Sequence, residues 1–133
     1  MRAELERMAA DMGLGDSVVF LGERSDTVRL MAGLDLFVLP SMVEGFPNAL
    51  LEAVLLGIPS VASRVGGVPD VLPEAEAMFA PGSDADALRV VLHAFDEPER
   101  ALDRAGRMRK RAQEQFTASR TVDSWCALYD RCR

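Results

Sequence analysis

Residues 41–56 read Ser-Met-Val-Glu-Gly-Phe-Pro-Asn-Ala-Leu-Leu-Glu-Ala-Val-Leu-Leu, and this stretch decides the fold. An apolar run over residues 34–39 precedes it and predicts a buried strand that ends at a proline. A glycine-containing loop around Glu44 follows, and the proline–asparagine pair after it can open a helix over residues 47–56. That helix is apolar on almost every side and carries a single carboxylate, Glu52. The stretch therefore predicts a strand, an acidic loop and an apolar helix in direct succession.

Strands and helices alternate along the rest of the chain. Apolar runs predict strands over residues 17–21, 58–63 and, as a short edge strand, 77–80. Helical spacing predicts helices over residues 1–12, 28–34, 84–95 (capped by Asp84 or Asp86), and from 98 to the end with a break near 116–117. Short apolar strands without alternating polarity are typical of a parallel sheet covered on both faces. We therefore predict one α/β domain with a Rossmann-like parallel sheet, helices on both of its faces and additional C-terminal helices.

Two loops of this predicted fold follow strands and are therefore candidates for ligand binding. Open parallel sheets bind their ligands beyond the carboxyl ends of the strands. The loops over residues 41–48 and 64–69 both lie at such ends, so we expect them to share one rim of the sheet.

The composition is that of a soluble globular protein. The chain has 133 residues, of which 49% are hydrophobic and 27% are charged, with a net charge of −6. No apolar stretch approaches the roughly 20 residues that a membrane span needs. Acidic residues also stand near the N-terminus, where a signal peptide would have its apolar segment. We expect a cytoplasmic protein.

A basic run over residues 104–111 is the main concentration of positive charge. No aromatic residues interleave with it and the chain as a whole is acidic, so nucleic acid is disfavoured as a partner. The run is typical of an exposed helix face beside Glu97, Glu99 and Glu114. Peripheral contact with anionic lipid head groups is the alternative.

Few residues are suited to metal or histidine chemistry. The two cysteines, Cys126 and Cys132, have no histidine near them in sequence, so they indicate neither a disulfide framework nor a zinc site. His93 is the only histidine and lies in a predicted helix. We expect no bound metal ion and no cofactor.

The start of the 47–56 helix is a candidate phosphate site. The first amides of a helix lack intrahelical acceptors and lie at the positive end of the helix dipole. The donors would be the N–H groups of Asn48, Ala49 and Leu50, and Gly45 would let the backbone approach a ligand closely. Neither a glycine–lysine phosphate loop nor a G-x-G-x-x-G motif after a strand is present, so a dinucleotide-binding domain is not supported.

The two carboxylates of this region each allow two interpretations. Glu52 on an apolar helix would be buried and would need hydrogen-bond donors such as vicinal sugar hydroxyls. Alternatively it lies on one exposed stripe or pairs with an arginine. Glu44 either reaches a ligand from its loop or is a solvated loop acid. Likewise, Gly66 and Gly67 form either a tight turn or a backbone nest close to phosphates.

The run from Pro40 to Ala53 resembles the donor-site motif of the group 1 (GT4-like) retaining glycosyltransferases. That motif contains two glutamates separated by seven residues, a spacing that Glu44 and Glu52 reproduce. The resemblance continues through residues 57–63 and 65–70 and is densest from 17 to 82.

The resemblance implies a nucleotide-sugar donor bound in a two-domain GT-B enzyme, with this chain as most of the C-terminal, donor-binding domain. It implies that Glu44, the candidate catalytic residue, contacts hydroxyls of the donor sugar and that Glu52 contacts the ribose. It also implies backbone contacts, from Gly45 and Phe46 to the sugar, from Asn48 and Ala49 to the diphosphate, and near Arg24 to the base.

Two parts of the family pattern are missing from this sequence. Family members carry an arginine and a lysine, earlier in the donor domain, that neutralise the leaving diphosphate; Arg2, Arg7 and Arg24 do not replace that pair. The acceptor-binding N-terminal domain is also missing. We therefore expect residues 1–133 to be a truncated donor domain that is inactive by itself.

The function implied by the resemblance is hexosyl transfer in polysaccharide biosynthesis. A sugar would move from a nucleoside diphosphate to a glycan or lipid-linked acceptor, which the missing N-terminal domain would bind. Two alternatives remain: a nucleotide-sugar 2-epimerase, which shares the GT-B architecture, and a non-catalytic nucleotide-binding module.

Overall fold

From residue 37 to residue 96, strands and helices alternate as predicted. The structure is a computed structural model that describes residues 2–131. Its elements in chain order are α1 (Arg2–Asp11), α2 (Thr27–Met31), β1 (Phe37–Leu39), α3 (Asn48–Leu56), β2 (Ser60–Ser63), α4 (Val68–Val71), a 3-10 turn (Ala75–Ala77), β3 (Met78–Phe79), α5 (Asp84–Asp96), α6 (Pro98–Gln115) and α7 (Ala118–Arg131).

The three strands form one parallel sheet in the order β1-β2-β3. Phe37 is paired with Ser60 at one end of the β1–β2 register, and Ser63 with Phe79 at the end of the β2–β3 register. Every residue of β2 is buried, as expected for a central strand with neighbours on both sides. The edge position predicted for residues 77–80 is confirmed, although the strand itself is only two residues long.

Helices cover both faces of the sheet, which confirms the predicted fold class. Successive residues of a strand point to opposite faces. Val61 accordingly packs with Phe79 and Val90 in one cluster, whose helical members come from α5 and the start of α6. Its neighbour Ala62 packs into the other cluster, together with Leu50 and additional residues of α3, α4 and the later part of α6.

The prediction of a buried strand over residues 17–21 is wrong. These residues have no strand pairing within the described part of the chain, and the side chain of Val19 is 75% exposed. A β-branched run becomes a strand only when a neighbouring strand supplies hydrogen bonds and cover. Here the carbonyl of Phe20 instead accepts from the Arg2 guanidinium at 3.0 Å.

The predicted cap of α5 by an aspartate is also wrong. Ser83 is the N-cap, and its hydroxyl accepts from the backbone N–H of Asp86 at 3.3 Å. The Asp86 carboxylate instead accepts from the Ala80 N–H at 2.7 Å and pairs with Arg89. Those two interactions lower the pKa of Asp86, the backbone hydrogen bond most strongly. Asp86 therefore anchors the loop after β3 to α5.

The basic run over residues 104–111 is only partly an exposed helix face. Arg107 and Lys110 are exposed, but Arg104 is 3% exposed and lies within ion-pair distance of Glu74 (3.6 Å) and Glu76 (3.2 Å). A guanidinium without these carboxylates would be costly at such a depth. Arg104 therefore fastens α6 to the turn that leads into β3.

The C-terminal helices break where the sequence predicts, at Phe116 between α6 and α7. No residue of α7 is buried, and Cys126 on this helix is an exposed free thiol; Cys132 lies outside the described residues. Within residues 2–131, none of the helices combines the length and the hydropathy required to cross a bilayer.

Candidate functional site

The two loops predicted to share a rim are in direct contact. The N–H of Gly67 donates to the carbonyl oxygen of Gly45 at 3.0 Å, which joins the loop after β2 to the loop after β1. Gly66 has a φ of +45°, and a Cβ built on it would lie 2.7 Å from the carbonyl carbon of Glu44 and closer still to its oxygen. Only glycine allows this approach. The glycine pair is thus explained by loop-on-loop packing in addition to a turn.

Glu44 is hydrogen-bonded to a serine after β1, and a second serine at the end of β2 anchors the first. The hydroxyl of Ser41 donates to the Glu44 carboxylate at 2.7 Å, and Glu44 is half-buried. Ser63, which is 1% exposed at the end of β2, donates to the backbone carbonyls of Ser41 and Leu39. The interpretation of Glu44 as a freely solvated loop acid is therefore wrong, because the sheet itself sets its position.

Two backbone amides are available at the start of α3. The N–H of Leu51 makes the first helical bond, to the Pro47 carbonyl at 3.0 Å, and the N–H of Asn48 donates to Phe46 at 3.0 Å. Among the described residues, no acceptor is assigned to the N–H groups of Ala49 and Leu50. Of the three amides predicted to be free, the structure therefore leaves these two for an anionic group.

Of the two interpretations of Glu52, the structure shows the exposed stripe of α3 and not burial. Asn48, Ala49 and Glu52 are exposed, whereas Leu50, Ala53 and Val54 on the other side are buried in the core. Within residues 2–131, Glu52 takes part in no salt bridge. Residues three and four apart share a helix face. The Glu52 carboxylate therefore lies one turn beyond Asn48 and Ala49 and is open to a ligand.

Phe46 connects the rim to the C-terminal helices. Its ring packs against Phe116, with the ring centroids 5.5 Å apart and the planes inclined by 60°. Phe46 is still 43% exposed, so part of the residue remains accessible. The end of α6 therefore helps to position the loop that carries Glu44.

Arg24 lies in the loop that precedes α2, and its side chain is occupied. Its guanidinium makes two hydrogen bonds to the Asp26 carboxylate, at 2.7 and 2.8 Å. This interaction raises the pKa of Arg24 and lowers the pKa of Asp26. Helix α2, which follows this loop, packs on α3.

The family model described as "Glycosyl transferases group 1" matches residues 1–95 of this chain. The chain belongs to the group 1 glycosyltransferases. Curated relatives of this family member include the MMP alpha-(1->4)-mannosyltransferase of Mycolicibacterium hassiacum, which is 34% identical over 95% of this chain and 32% of that protein. The D-inositol 3-phosphate glycosyltransferase of Mycolicibacterium smegmatis is 32% identical over 96% of this chain and 30% of that protein. The chain thus spans about a third of the length of the curated relatives it matches.

Solved structures of glycosyltransferases share this fold. HepE of Anabaena in complex with UDP superimposes with a TM-score of 0.86 at 26% identity, covering 98% of this chain and 36% of that protein. HepE has also been solved with UDP-glucose. These neighbours are GT-B enzymes, which confirms the predicted Rossmann-like half of a GT-B fold.

Sequence patterns located the rim but missed the residues that hold it together. Glu44, Gly45 and the start of α3 meet at one edge, as predicted. The sequence patterns do not indicate a role for Ser41, Ser63 or Phe116. Ser41 lies two residues after the end of β1, and Ser63 is the last residue of β2. Small hydroxyl residues at two neighbouring carboxyl ends were the available signal for the first two.

Proposed function

We propose that this chain is the donor-binding part of a retaining glycosyltransferase, which moves a hexosyl group from a nucleoside diphosphate to a glycan or lipid-linked acceptor. One arrangement carries the proposal: three kinds of ligand-binding group meet at one rim of the sheet. They are the N–H groups of Ala49 and Leu50, which have no acceptor among the described residues, the carboxylate of Glu44, which Ser41 positions, and the exposed carboxylate of Glu52. Family membership and UDP complexes of a similar structure support the same ligand class.

In this proposal the diphosphate of the donor lies at the start of α3. The N–H groups of Ala49 and Leu50 and the positive end of the helix dipole face it. Negative charge increases on the diphosphate as the bond to the sugar breaks, so donors fixed beforehand stabilise the transition state more than the ground state. The proposal assigns this role to backbone amides and requires no metal ion.

The two carboxylates serve as acceptors for hydroxyl groups of the donor. Glu52, exposed one turn into α3, accepts from the ribose hydroxyls. Glu44, held by Ser41 in the adjacent loop, accepts from hydroxyls of the sugar and orients the anomeric carbon. Neither carboxylate needs to act as a nucleophile.

Calorimetric titration of UDP, GDP and ADP, each with and without an attached sugar, tests the proposal. We expect one nucleotide to bind and Glu52→Ala to weaken it about 10- to 100-fold, because a hydrogen bond to a charged group contributes about 1.5–3 kcal/mol. Alanine is a good helix former, so an exposed Glu52→Ala leaves α3 folded.

Glu99→Ala is the matched control. Glu99 is an exposed helical glutamate next to Pro98, and Pro98 lines a cavity with Asp35 and Pro59, which precede β1 and β2. That cavity lies at the amino end of the sheet, opposite to the rim. Nucleotide affinity unchanged in Glu52→Ala, or equally reduced in both variants, would show that the ribose site is wrongly placed.

A further inference from the structure

A groove of about 550 Å³ lies between the end of α6 and α7, beside the rim. Phe116 forms part of its wall and at the same time packs on Phe46 of the rim loop. Asp70, in the last turn of α4, lines the groove from the other side. A ligand in this groove would therefore be a neighbour of the sugar that the rim is proposed to hold.

Two arginines give the groove a positive charge, and no carboxylate among residues 2–131 forms a salt bridge with either of them. Arg111 donates to the backbone carbonyl of Asp70 at 2.7 Å, and Arg120 donates to the backbone carbonyl of Glu114 at 3.4 Å. Neither forms a salt bridge within residues 2–131, whereas Arg104 and Arg107 of the same helical segment pair with carboxylates. With the Asp70 side chain included, the lining carries a net charge of about +1, and each guanidinium keeps N–H donors in a geometry that suits phosphate or carboxylate.

The remaining wall is suited to a sugar ring. The hydroxyls of Thr121 and Ser124 donate to helix carbonyls at 3.2 and 2.8 Å, which leaves their oxygens as acceptors for ligand hydroxyls. Gln115 contributes an amide that both donates and accepts. Trp125 is 55% exposed and offers a flat apolar surface to the C–H face of a sugar. An inorganic anion could use the arginines and the Gln115 amide but would gain nothing from the Trp125 surface.

We propose that this groove binds a sugar unit that carries a phosphate or a carboxylate, and that this unit belongs to the acceptor. The inference rests on the proposed function insofar as it assigns the ligand to the acceptor. The groove and its lining are independent of that assignment, so binding at the groove is tested separately from binding at the rim.

Trp125 is the only tryptophan of the chain, so its fluorescence reports on this groove directly. We titrate the protein with glucose 6-phosphate, glucuronate, glucose and inorganic phosphate. We expect both charged sugars to change the emission with a Kd at least about 10-fold lower than that of glucose or inorganic phosphate. Arg111→Gln and Arg120→Gln should each raise that Kd about 10-fold or more, as expected when a hydrogen bond to a charged group is lost.

Arg131→Gln, on the same helix and outside the groove lining, is the matched control and should leave the Kd unchanged. Equal affinity for inorganic phosphate and glucose 6-phosphate, or retained affinity in the groove variants, would overturn the proposal. Displacement of glucose 6-phosphate by saturating UDP would overturn it as well, because the groove would then be part of the donor site. Calorimetry with UDP on the same sample separates the two hypotheses: a sample that binds UDP and leaves Trp125 unaffected by charged sugars refutes the groove alone.

Discussion

Replacing Gly66 by alanine should damage both the stability of the domain and the position of Glu44. The added Cβ would lie 2.7 Å from the carbonyl carbon of Glu44, whereas carbon atoms normally pack at about 3.5–4.0 Å. The loop after β1 must therefore move by at least about 1 Å, which is comparable with overpacking a core and costs about 1–3 kcal/mol. The φ of +45° adds about 1–2 kcal/mol for a residue with a side chain.

The two effects together predict a loss of about 2–5 kcal/mol in the free energy of unfolding. For a domain of this size, 1 kcal/mol corresponds to roughly 4 °C, so Tm should fall by about 8–20 °C in a calorimetric scan. Because the displaced loop carries Glu44, UDP-glucose should lose more affinity than UDP. Both measurements use the same purified variant.

Two other glycines provide controls for Gly66→Ala. A Cβ at Gly45 meets no atom within 4 Å, and Gly45 has no positive φ, so Gly45→Ala should shift Tm by no more than about 2 °C. Gly106 lies within α6 with no neighbouring atom in the way, so Gly106→Ala should raise stability by about 1 kcal/mol. A Tm for Gly66→Ala equal to that of Gly45→Ala would refute the loop-packing argument.

Three additional predictions concern the rim, the buried ion pairs and the response to pH. Ser41→Ala removes the hydrogen bond that positions Glu44. Calorimetry should show that UDP binds with unchanged affinity, whereas UDP-glucose loses the affinity that its sugar adds to that of UDP. An equal loss for both ligands would contradict this role of Ser41. Arg104→Met removes a buried guanidinium from its ion pairs with Glu74 and Glu76, which are part-exposed and keep Arg107 and Arg100 as partners. The substitution should therefore cost about 1–3 kcal/mol in urea unfolding, against at most about 1 kcal/mol for the exposed Arg107→Met; equal costs would contradict the role assigned to Arg104. The lowered pKa of Asp86 contributes stability that is present above the ordinary pKa of 3.8 and is lost as pH falls through the lower folded value. Asp86→Asn should therefore flatten the decline of Tm below about pH 4. An unchanged decline would contradict this role of Asp86.

Local patterns predicted the elements that depend on nearby residues. Helix α3 lies where apolar residues and the glycine after it indicate, and Gly57 ends it with a left-handed φ of +79°. The rim was also predictable, since the carboxyl ends of parallel strands must meet at one edge.

Features that depend on distant partners were not predictable in this way. Residues 17–21 have the composition of a strand but no neighbouring strand in the described chain. Arg104 is buried because Glu74 and Glu76, about 30 residues earlier in the chain, reach it through the fold. The apolar composition of α3 left both burial and an exposed stripe open for Glu52, and the structure shows the stripe, since the core packs on Leu50, Ala53 and Val54. In each of these three cases, the burial of the residues depends on which other element of the fold packs against them.

The central claim is that the nucleotide lies at the start of α3 with its diphosphate on the backbone amides. At 14.5 kDa the chain is small enough for amide-resolved NMR, so a UDP titration of the isotope-labelled protein tests this claim most directly. The account predicts that the largest amide shifts fall on Ala49 and Leu50, with smaller ones at Gly45 and Glu52. Shifts that leave these amides unchanged and cluster elsewhere, such as around Arg111 and Trp125, would contradict it.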